Sequence, residues 1–519
     1  MLLLGEILRR QAADVGRADR VAAIFEARDG REQRLTYRQL NRRANRLANA
    51  LLAAGVAKGD RVALLGRNSL QYVAIYFALA KLGAVMVPVN FWYRSSELKY
   101  TIDQSESSTL LVAGQLIETL APVAAELPSL RRTYVYDALA ASQQPSLEAL
   151  AGGASEEEPT VRLDERDPHI ILYTSGTTGF PKGATLSHRA HYLHALTWAL
   201  QTGQSEADLG LVVYPLFHTG GPDCVVLPHF IVGGTIVIHD GAEPELMLSA
   251  IERHRLTNVF CVPTVWRRLL AHPSLAGRDL SSVRRCLGSS DTLPPDLLDE
   301  ILARFEAEVF VTYGLTEAGC ILTFSRLTRQ DRAKIASVGK PHPLVDVRVV
   351  GPDERELPTG QVGEIVARGP TLMDGYWAMP ERTADAVRDG WLHTGDSGRF
   401  DADGCLYVVG RIKDMIVSGG EKIYPLEVER LLRQHPAIAD CALVGVPDRE
   451  WGESVLAVVV PRPGASVVPA ELSDFVRSQL AGYKTPRYFE VVDALPVTTA
   501  TGKVRKAVLR ERFAEKYRR

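Results

Sequence analysis

The sequence predicts an α/β fold. A large N-terminal domain of two α/β subdomains with mainly parallel sheets also carries a small β-rich subdomain, and a small α+β domain follows it. Helix-like and strand-like segments alternate between residues 35 and 89, and a similar alternation returns after residue 200. This βαβ rhythm is typical of parallel sheets covered by helices. A chain of 519 residues is also too long for one ordinary core, so several domains are expected.

The first half of the chain contains clear helix and strand patterns. Residues 35–54 place apolar side chains at helical spacing, and residues 70–82 predict a buried helix. Short apolar runs predict strands at 61–65, 85–89 and 169–173. Helices and strands that alternate in this way predict a parallel sheet in this half.

The second half begins with the same pattern and then changes. Strands are predicted at 211–214, 235–238 and 258–262. From about Val338 to about Gly410, short strands alternate with turns and predict the β-rich subdomain. The segment from residue 413 onward is long enough for a small α+β domain, with a helix at 426–435 and strands at 440–444 and 455–460.

Composition excludes several classes of protein. A net charge of −2 gives no overall attraction to nucleic acid or anionic lipid. The six cysteines include no C-x-x-C pair, which argues against a zinc site or a disulfide framework and suits a reducing cytoplasm. The first residues do not form a secretory signal, and the longest apolar run, residues 72–80, is too short to span a bilayer. Peripheral membrane contact is left open.

The segment from Tyr173 to Gly183 is unusually dense in hydrogen-bond donors. It contains four serine and threonine hydroxyls, three glycines and Lys182, and it continues from the predicted strand at 169–173. Glycines let backbone N–H groups close around an anion, and a lysine adds a charge that can meet phosphate. The segment therefore predicts a phosphate-binding loop rather than the flexible polar loop that such clusters often form. It lacks the Gly-Lys-Ser/Thr ending of a Walker A loop.

This loop closely resembles the signature loop of the adenylate-forming superfamily, which includes acyl-CoA synthetases. Further motifs that resemble those of the superfamily follow in order, at residues 214–218, 312–317, 391–396, 410–414, 418–425 and 501–503. Seven matches in register make chance resemblance very unlikely. The resemblance implies an N-terminal domain at 1–412, which binds ATP and the acid, and a mobile C-terminal domain at 413–519.

The resemblance also implies a site for ATP and Mg²⁺. Glu317 would coordinate the magnesium ion, Thr316 would donate to the α-phosphate, and Tyr313 would present its ring to adenine. Asp396 would accept from the ribose hydroxyls, and Arg411 would add a second ribose or phosphate contact. The remaining ATP-binding residues are expected to be Thr174, Ser175, Gly176, Thr177, Thr178, Lys182 and Gly288.

Further roles follow from the same resemblance. Lys503 would bridge the carboxylate and the α-phosphate during adenylation, and His218 would orient the carboxylate or act as a gate. Lys413 matches the hinge residue, while Gly419 and Gly420 would let the pantetheine chain of coenzyme A pass close to the backbone. Residues 288–291 and 496–497 depart from the usual motifs, and only Gly288 fits at the first of these places.

The acyl pocket is expected to be roomy and apolar. The residues that match its walls are small or apolar, and no buried arginine is evident that would pair with a second carboxylate. This composition favours a bulky or long monoacid that is fatty, aryl or polycyclic. The expected wall residues are Gly220, Gly221, Cys224, Val262, Trp266, Gly314 and Leu315.

The leading functional hypothesis is an ATP-dependent acyl-CoA ligase, an acid–thiol ligase that forms acyl-AMP and pyrophosphate and then transfers the acyl group to coenzyme A. Its partners would be a small carboxylic acid, ATP and coenzyme A, and it would be a cytoplasmic monomer or homodimer. The first alternative is a stand-alone enzyme that loads the phosphopantetheine of a carrier protein. A catalytically silent nucleotide-binding homologue is the second alternative, and a luciferase-like oxidation is a weaker third.

Overall fold

The computed structural model describes residues 1–137, 144–174, 181–288, 293–328, 334–498 and 503–517. These residues divide into two compact units. The first unit comprises Met1–Ile335, Gly339–Asp346 and Ala367–Leu392, and the second comprises Ala336–Val338, Val347–Val366 and His393–Arg519. The chain passes between the units several times before residue 393. The boundary at 412/413 therefore stays a prediction.

The helices of the described residues are numbered in chain order. They are α1 Leu4–Ala13, α2 Tyr37–Ala53, α3 Leu70–Leu82, α4 Ser95–Gln104, α5 Ile117–Leu120, α6 Leu147–Ala151, α7 His188–Thr202, α8 Leu227–Val232, α9 Pro244–His254, α10 Pro263–Leu270, α11 Pro295–Arg304, α12 Pro380–Ala386, α13 Pro425–Leu432, α14 Pro469–Arg477 and α15 Lys506–Ala514.

The strands are numbered in the same way. They are β1 Val21–Glu26, β2 Glu32–Thr36, β3 Arg61–Leu65, β4 Val85–Val89, β5 Thr109–Ala113, β6 Arg132–Tyr136, β7 Pro168–Thr174, β8 Lys182–Ser187, β9 Leu209–Val212, β10 Thr235–His239, β11 Asn258–Cys261, β12 Arg285–Gly288, β13 Glu308–Tyr313, β14 Thr323–Leu327, β15 Lys340–Pro341, β16 Asp346–Val350, β17 Gly363–Arg368, β18 Gly375–Tyr376, β19 Val387–Arg388, β20 Trp391–Phe400, β21 Leu406–Arg411, β22 Ile416–Ser418, β23 Glu421–Ile423, β24 Ile438–Asp448, β25 Gly452–Pro461 and β26 Tyr488–Val491.

Two large sheets form the centre of the first unit. The nine-stranded sheet has the order β15-β14-β13-β12-β11-β9-β10-β1-β2, and its strands from β13 to β1 run parallel. The seven-stranded sheet has the order β18-β8-β7-β4-β3-β5-β6, and it is parallel from β7 to β6. The predicted pair of mainly parallel α/β sheets is confirmed.

Helix α3 shows how the local sequence determines an element. Apolar side chains lie on every face of it, and all of its residues, including Gln71 and Lys81, are buried, as expected for a helix packed on all sides. The Ser69 side chain accepts a hydrogen bond from the N–H of Tyr72 and caps the start of the helix. Gly83 ends the helix in a left-handed conformation, with φ of 75°. The predicted bounds of α3, 70–82, are confirmed.

The second unit is the predicted α+β part together with several short strands. β22, β23, β24, β25 and β26 form a five-stranded sheet in which β24 and β25 pair antiparallel along most of their length. Helices α13 and α14 bury apolar residues on one side of this sheet, and α15 does so in a separate cluster. In the β-rich segment, β20 pairs antiparallel with β21.

Several predicted bounds are wrong by a few residues, and the ends of β9, β11 and α13 are among them. β9 ends at Val212 rather than at 214, and beyond it the Asn68 side chain bonds the backbone of Tyr214 and Leu216 in place of a neighbouring strand. β11 ends at Cys261 because Pro263 begins α10. Helix α13 ends at Leu432 rather than at 435 because Pro436 follows and disfavours a helical conformation at the preceding residue. Among the described residues, no helix is both long enough and apolar enough to cross a membrane.

Candidate active site

Four neighbouring parallel strands of the nine-stranded sheet end at one edge, and predicted site residues follow each of them. The strands are β9, β11, β12 and β13. His218 follows β9, Val262 follows β11, Gly288 ends β12, and Tyr313 ends β13. The carboxyl ends of parallel strands are where ligands bind in open α/β sheets. The fold thus gathers residues that are nearly 100 positions apart in the sequence.

Asn68 holds the segment that leads to His218. Its side-chain amide donates to the carbonyl of Tyr214 at 2.8 Å, and its oxygen accepts from the N–H of Leu216 at 2.8 Å. Asn68 is buried, so these bonds satisfy polar groups that water cannot reach. The bonds replace strand pairing around Pro215 and determine where the chain leaves the sheet.

His218 and its two glycines form a tight turn. The Nδ1 atom of His218 accepts a hydrogen bond from the N–H of Gly220 at 3.2 Å, so the proton of the neutral ring lies on Nε2. A Cβ atom at Gly220 would lie 2.8 Å from the Tyr214 ring, and one at Gly221 would lie 3.0 Å from the carbonyl oxygen of Pro215. Both positions require glycine because the chain packs closely on itself.

The turn after β13 carries Thr316 and Glu317 on a short 3₁₀ helix, Thr316–Ala318. A Cβ atom at Gly314 would lie only 2.1 Å from the carbonyl oxygen of Cys320, because the chain folds back directly over this residue. The carbonyl of Leu315 accepts from the N–H groups of Ala318 and Cys320, which closes the turn. This packing holds the Glu317 backbone in a defined place.

Glu317 and Lys182 lie on either side of Tyr376. The Tyr376 hydroxyl donates to Oε1 of Glu317 at 2.9 Å, and the Lys182 ammonium lies 4.1 Å from the centre of the Tyr376 ring. Strand β18, which carries Tyr376, pairs with β8 and so connects the phosphate-loop hairpin with the turn after β13. A carboxylate beside a lysine, at the edge of a phosphate loop, is a donor set that fits Mg²⁺ together with phosphate.

The ionisation of these groups follows from partial burial. Burial lowers the pKa of Lys182 from its ordinary value, and the Glu317 carboxylate acts in the opposite direction with a smaller effect. Burial raises the pKa of the Tyr376 phenol, and Glu317 raises it further. The Tyr376 phenol therefore stays protonated at neutral pH, and its O–H group donates a hydrogen bond to the Glu317 carboxylate.

The phosphate loop is described only at its two ends. Thr174 ends β7 and Lys182 begins β8, and these two residues pair across the hairpin. The predicted residues Ser175, Gly176, Thr177 and Thr178 lie outside the described residues. The hairpin therefore places the start and the end of the predicted loop next to each other.

The remaining expected pocket residues lie in different environments. Cys224 is buried in a π-helical segment, Pro222–Val226. Trp266 is fully buried in the core, where it packs edge-on against Phe305, and its indole N–H donates to the carbonyl of Leu287 at 3.0 Å. This bond supports the end of β12 just before Gly288. A pocket wall at these positions stays a prediction.

In the second unit, Asp396 and Arg411 face each other across β20 and β21. The Nε atom of Arg411 lies 3.2 Å from Oδ1 of Asp396, and the Asp396 side chain is largely buried. The hydroxyl of Thr394 accepts from the N–H of Asp396 and donates to the carbonyl of Ile365, which anchors the turn. The fold thus brings together the two residues that were expected to contact ribose.

Gly419 and Gly420 form the two-residue turn of the β22–β23 hairpin, with φ of 59° and 87°. A Cβ atom at Gly419 would lie 2.4 Å from the Trp451 ring, whereas one at Gly420 would meet no atom of the described residues within 4 Å. Both glycines are needed for the backbone of this turn. A contact with pantetheine stays a prediction.

Lys413 and Lys503 both lie in turns of the second unit. Lys413 is the middle residue of the 3₁₀ turn Ile412–Asp414, which follows β21. Lys503 is exposed and lies in a short turn before α15. Its N–H donates to the Thr498 hydroxyl, and its carbonyl accepts from the Thr498 N–H. Their roles as hinge and catalytic lysine stay predictions.

Two residues of the site were missed from the sequence. Tyr376 lies in a Gly-Tyr-Trp segment, and Asn68 lies between two short apolar runs. Neither residue type nor spacing distinguishes them from ordinary turn residues. Only the pairing of β18 with β8, and the neighbouring carbonyl and N–H groups around Asn68, show what they contact.

Comparisons with known proteins agree with this geometry. A family model described as AMP-binding enzyme matches residues 8–377, and one described as AMP-binding enzyme C-terminal domain matches residues 427–503. The chain is 42% identical over 483 residues to a feruloyl-CoA synthase of Amycolatopsis sp, which covers 92% of this chain and 94% of that protein.

A second relative and a solved structure extend the comparison. The chain is 35% identical over 497 residues to the fatty acid–[acyl-carrier-protein] ligase ScoC of Streptomyces coeruleorubidus, which covers 92% of both proteins. It also resembles the anthranilate CoA ligase AuaEII solved with anthranoyl-AMP, with a TM-score of 0.90, 29% identity, and coverage of 98% of this chain and 97% of that one. The chain therefore belongs to the AMP-binding enzyme family, and it is an AMP-forming acyl-CoA synthetase.

Proposed function

We propose that this enzyme activates an aromatic carboxylic acid in the cytoplasm, in a Mg²⁺-dependent reaction, and transfers the acyl group to coenzyme A. The observation that carries the proposal is the gathering of His218, Gly288, Tyr313 and the Glu317–Tyr376–Lys182 group within one unit. The choice of an aromatic acid is supported by the feruloyl-CoA synthase and the anthranilate CoA ligase among the similar proteins.

Aromatic side chains near the expected acyl pocket support the same choice. The rings of Tyr214 and Phe260 stack with centres 4.7 Å apart, and Gly220 lies against the Tyr214 ring. Flat rings pack well against aromatic side chains. A flat acid is therefore a better match to these groups than a long flexible chain.

The first half-reaction needs charge stabilisation and positioning. A carboxylate oxygen of the acid attacks the α-phosphorus of ATP, and pyrophosphate leaves. In the proposed arrangement, Lys182 binds the leaving phosphates, Thr316 donates to the α-phosphate, and Lys503 offsets the charge that develops between carboxylate and phosphate. His218 presents its Nε2 proton to the carboxylate. Glu317 would hold Mg²⁺, which neutralises phosphate charge when it is bound.

In the second half-reaction, the acyl group is transferred from AMP to the thiol sulfur of coenzyme A. The thiol sulfur of coenzyme A attacks the acyl carbon of the mixed anhydride, AMP leaves, and the thiol proton passes to solvent. Gly419 and Gly420 would provide the path for pantetheine, because a turn without side chains leaves the backbone open to a close approach.

A substrate comparison tests the proposal. We expect kcat/KM for thioester formation to be at least about tenfold higher with a hydroxycinnamic acid than with octanoic acid, a difference of roughly 1.4 kcal/mol in transition-state binding. AMP and pyrophosphate should be the nucleotide products. A preference for octanoic acid, or for a dicarboxylic acid, would contradict the aromatic pocket. A faster rate with a phosphopantetheinylated carrier protein than with coenzyme A would favour the carrier-loading alternative, which the ScoC relative represents.

A further inference from the structure

Two cysteine thiols meet beside the turn that carries Thr316 and Glu317. The Sγ atoms of Cys224 and Cys320 are 3.5 Å apart, close enough for a hydrogen bond between the thiols. Cys224 is buried on the π-helical segment, and Cys320 is partly exposed after the 3₁₀ helix. The pair thus joins the segment that follows His218 to the segment that follows Glu317.

The backbone on both sides of the pair is held in place. The N–H of Cys320 donates to the carbonyl of Leu315 at 3.1 Å, and the carbonyl of Gly221 accepts from Val225 and Val226. Cys320 has φ of 93°, a backbone conformation that a residue with a side chain rarely adopts. The surrounding contacts therefore hold Cys320 in a strained conformation that directs its thiol toward Cys224.

We propose that Cys224 and Cys320 are a modification site, at which a hydroperoxide converts the two thiols into a reversible disulfide. The hydroperoxide first oxidises the more accessible thiol, Cys320, to a sulfenic acid and is reduced to an alcohol, or to water if it is hydrogen peroxide. The Cys224 sulfur then attacks the sulfenic sulfur, and water leaves. The two thiols together lose two electrons and two protons, and a dithiol reductant restores them by exchange.

The order of the two steps follows from burial. Burial raises the pKa of the Cys224 thiol, and the contact with Cys320 raises it further. A hydroperoxide that arrives from solvent meets Cys320 first, because that thiol is partly exposed whereas Cys224 is buried. We therefore expect Cys320 to be oxidised first and Cys224 to resolve the sulfenic acid.

The disulfide would alter the neighbouring turn. A disulfide bond is about 2.05 Å long, so the two sulfur atoms must approach by roughly 1.5 Å. Gly314 and Cys320 are already in tight contact, and the carbonyl of Glu317 accepts from the N–H of Met373 at 2.9 Å. We expect part of this movement to be taken up by the turn between Gly314 and Cys320. Loss of activity on oxidation rests on the proposed roles of Thr316 and Glu317.

The experiment treats the reduced full-length enzyme with hydrogen peroxide, removes the excess, and digests it under non-reducing conditions. Mass spectrometry should find one peptide pair that joins Cys224 to Cys320, and thiol titration should show the loss of two of the six thiols. Dithiothreitol should remove the crosslink and restore the two thiols. Absence of this peptide pair, while another cysteine pair is joined, would overturn the proposal.

Variants separate the modification from its effect on activity. Cys320→Ser and Cys320→Gly should prevent the crosslink, and glycine also adopts the positive φ without strain. Cys405, the other partly exposed cysteine, provides the matched control Cys405→Ser, which should form the crosslink as the unmodified enzyme does.

The activity readout has two informative outcomes. Oxidation should lower adenylation at least about tenfold in the unmodified enzyme and in Cys405→Ser, since an error of about 1 Å in positioning can cost about 100-fold in rate. Both Cys320 variants should be insensitive to peroxide. A crosslink that forms fully but leaves adenylation unchanged would contradict the proposed roles of Thr316 and Glu317, and the modification site would stand. Equal inactivation of the Cys320 variants by peroxide would overturn the link between this site and activity.

Discussion

Tyr376 connects two ionised groups of the candidate site. Its hydroxyl donates to Glu317, and its ring lies beside the Lys182 ammonium. A hydrogen bond to a carboxylate fixes the direction of the remaining lone pairs, so Tyr376 is placed to orient Glu317 toward a cation. Tyr376 is thus a positioning residue, since it acts on the chemistry through Glu317 and Lys182.

Replacing Tyr376 with phenylalanine tests this role. A hydrogen bond to a charged group contributes about 1.5–3 kcal/mol, so Tyr376→Phe should lower kcat/KM for adenylation about 10- to 100-fold. The decrease in kcat/KM should be smaller at high Mg²⁺ concentration, because a high concentration of the ion keeps a weakened site occupied. The measurement is ATP–pyrophosphate exchange over a range of Mg²⁺ concentrations.

The control for this variant is Tyr134→Phe. Tyr134 lies on β6, at the far edge of the seven-stranded sheet from β18, which carries Tyr376. Exchange rates for Tyr134→Phe should match those of the unmodified enzyme. If Tyr376→Phe exchanges at the normal rate at every Mg²⁺ concentration, Tyr376 does not orient Glu317.

The β22–β23 hairpin illustrates a function that belongs to an element. Its turn consists of Gly419 and Gly420, and both have positive φ. Trp451 covers Gly419, whereas the space next to Gly420 is open. A side chain at Gly420 would therefore point into that open space, where the proposed path for pantetheine runs.

The variant Gly420→Leu should obstruct this path. We expect thioester formation from supplied acyl-AMP to fall by more than tenfold, because steric overlap excludes a ligand more strongly than the loss of a contact weakens it. Adenylation should change little. Stopped-flow or quenched assays of the two half-reactions provide the measurement.

Gly464→Leu is the matched control for this hairpin variant. Gly464 has φ of 79° and is equally open, so the backbone penalty of about 1 kcal/mol is the same. An equal loss of thioester formation in both variants would assign the effect to stability rather than to the path of pantetheine.

At the scale of the whole molecule, a group of buried histidines couples stability to pH. Burial lowers the pKa of His188, His229 and His342 to about 4, and that of His191 and His194 to about 3. In the unfolded chain these rings have their ordinary pKa of about 6.5. Between pH 6.5 and 4 the unfolded state therefore binds more protons than the folded state, so the free energy of unfolding decreases as the pH falls.

The free energy of unfolding should be lower at pH 5 than at neutral pH by about 2 kcal/mol for each buried histidine. The contribution of each histidine is complete above pH 6.5. Chemical denaturation at pH 7.5, 6 and 5 should show this decrease. In His188→Asn, the change in the free energy of unfolding between pH 7.5 and 5 should be smaller by the contribution of one histidine. A free energy of unfolding that is constant from pH 7.5 to 5 would contradict the prediction.

The resemblance also predicts, at the scale of the whole molecule, that the C-terminal domain moves between the two half-reactions. Lys413 lies in a short turn after β21, where the resemblance places a hinge. Lys413→Pro restricts φ and should keep adenylation while it lowers thioester formation more than tenfold, because a large backbone rotation is then blocked. Lys413→Ala, which leaves φ free, is the control. Normal rates of both half-reactions in Lys413→Pro would place the hinge elsewhere.

The sequence by itself determined the class of fold, the family and most elements. Apolar runs and helical spacing predicted α3, β3 and β4 with their observed bounds, because burial on all sides leaves a continuous apolar pattern. The motifs also predicted Asp396 and Arg411 as partners at one ligand, and the pairing of β20 with β21 places them together. Proline at 263 and 436 could have corrected the ends of β11 and α13, because Pro263 begins α10 and a proline disfavours a helical conformation at the residue before it.

Only the tertiary structure decided which distant residues touch. Tyr376 meets Glu317 because β18 pairs with β8, Asn68 meets Tyr214 because a polar side chain replaces strand pairing, and Cys224 meets Cys320 across 96 positions of sequence. Periodicity reports which face of an element is buried, and a motif reports residues that are close in the chain. Contacts between residues far apart in the chain depend on strand order and on close packing at glycines, and neither is written in the local pattern of the sequence.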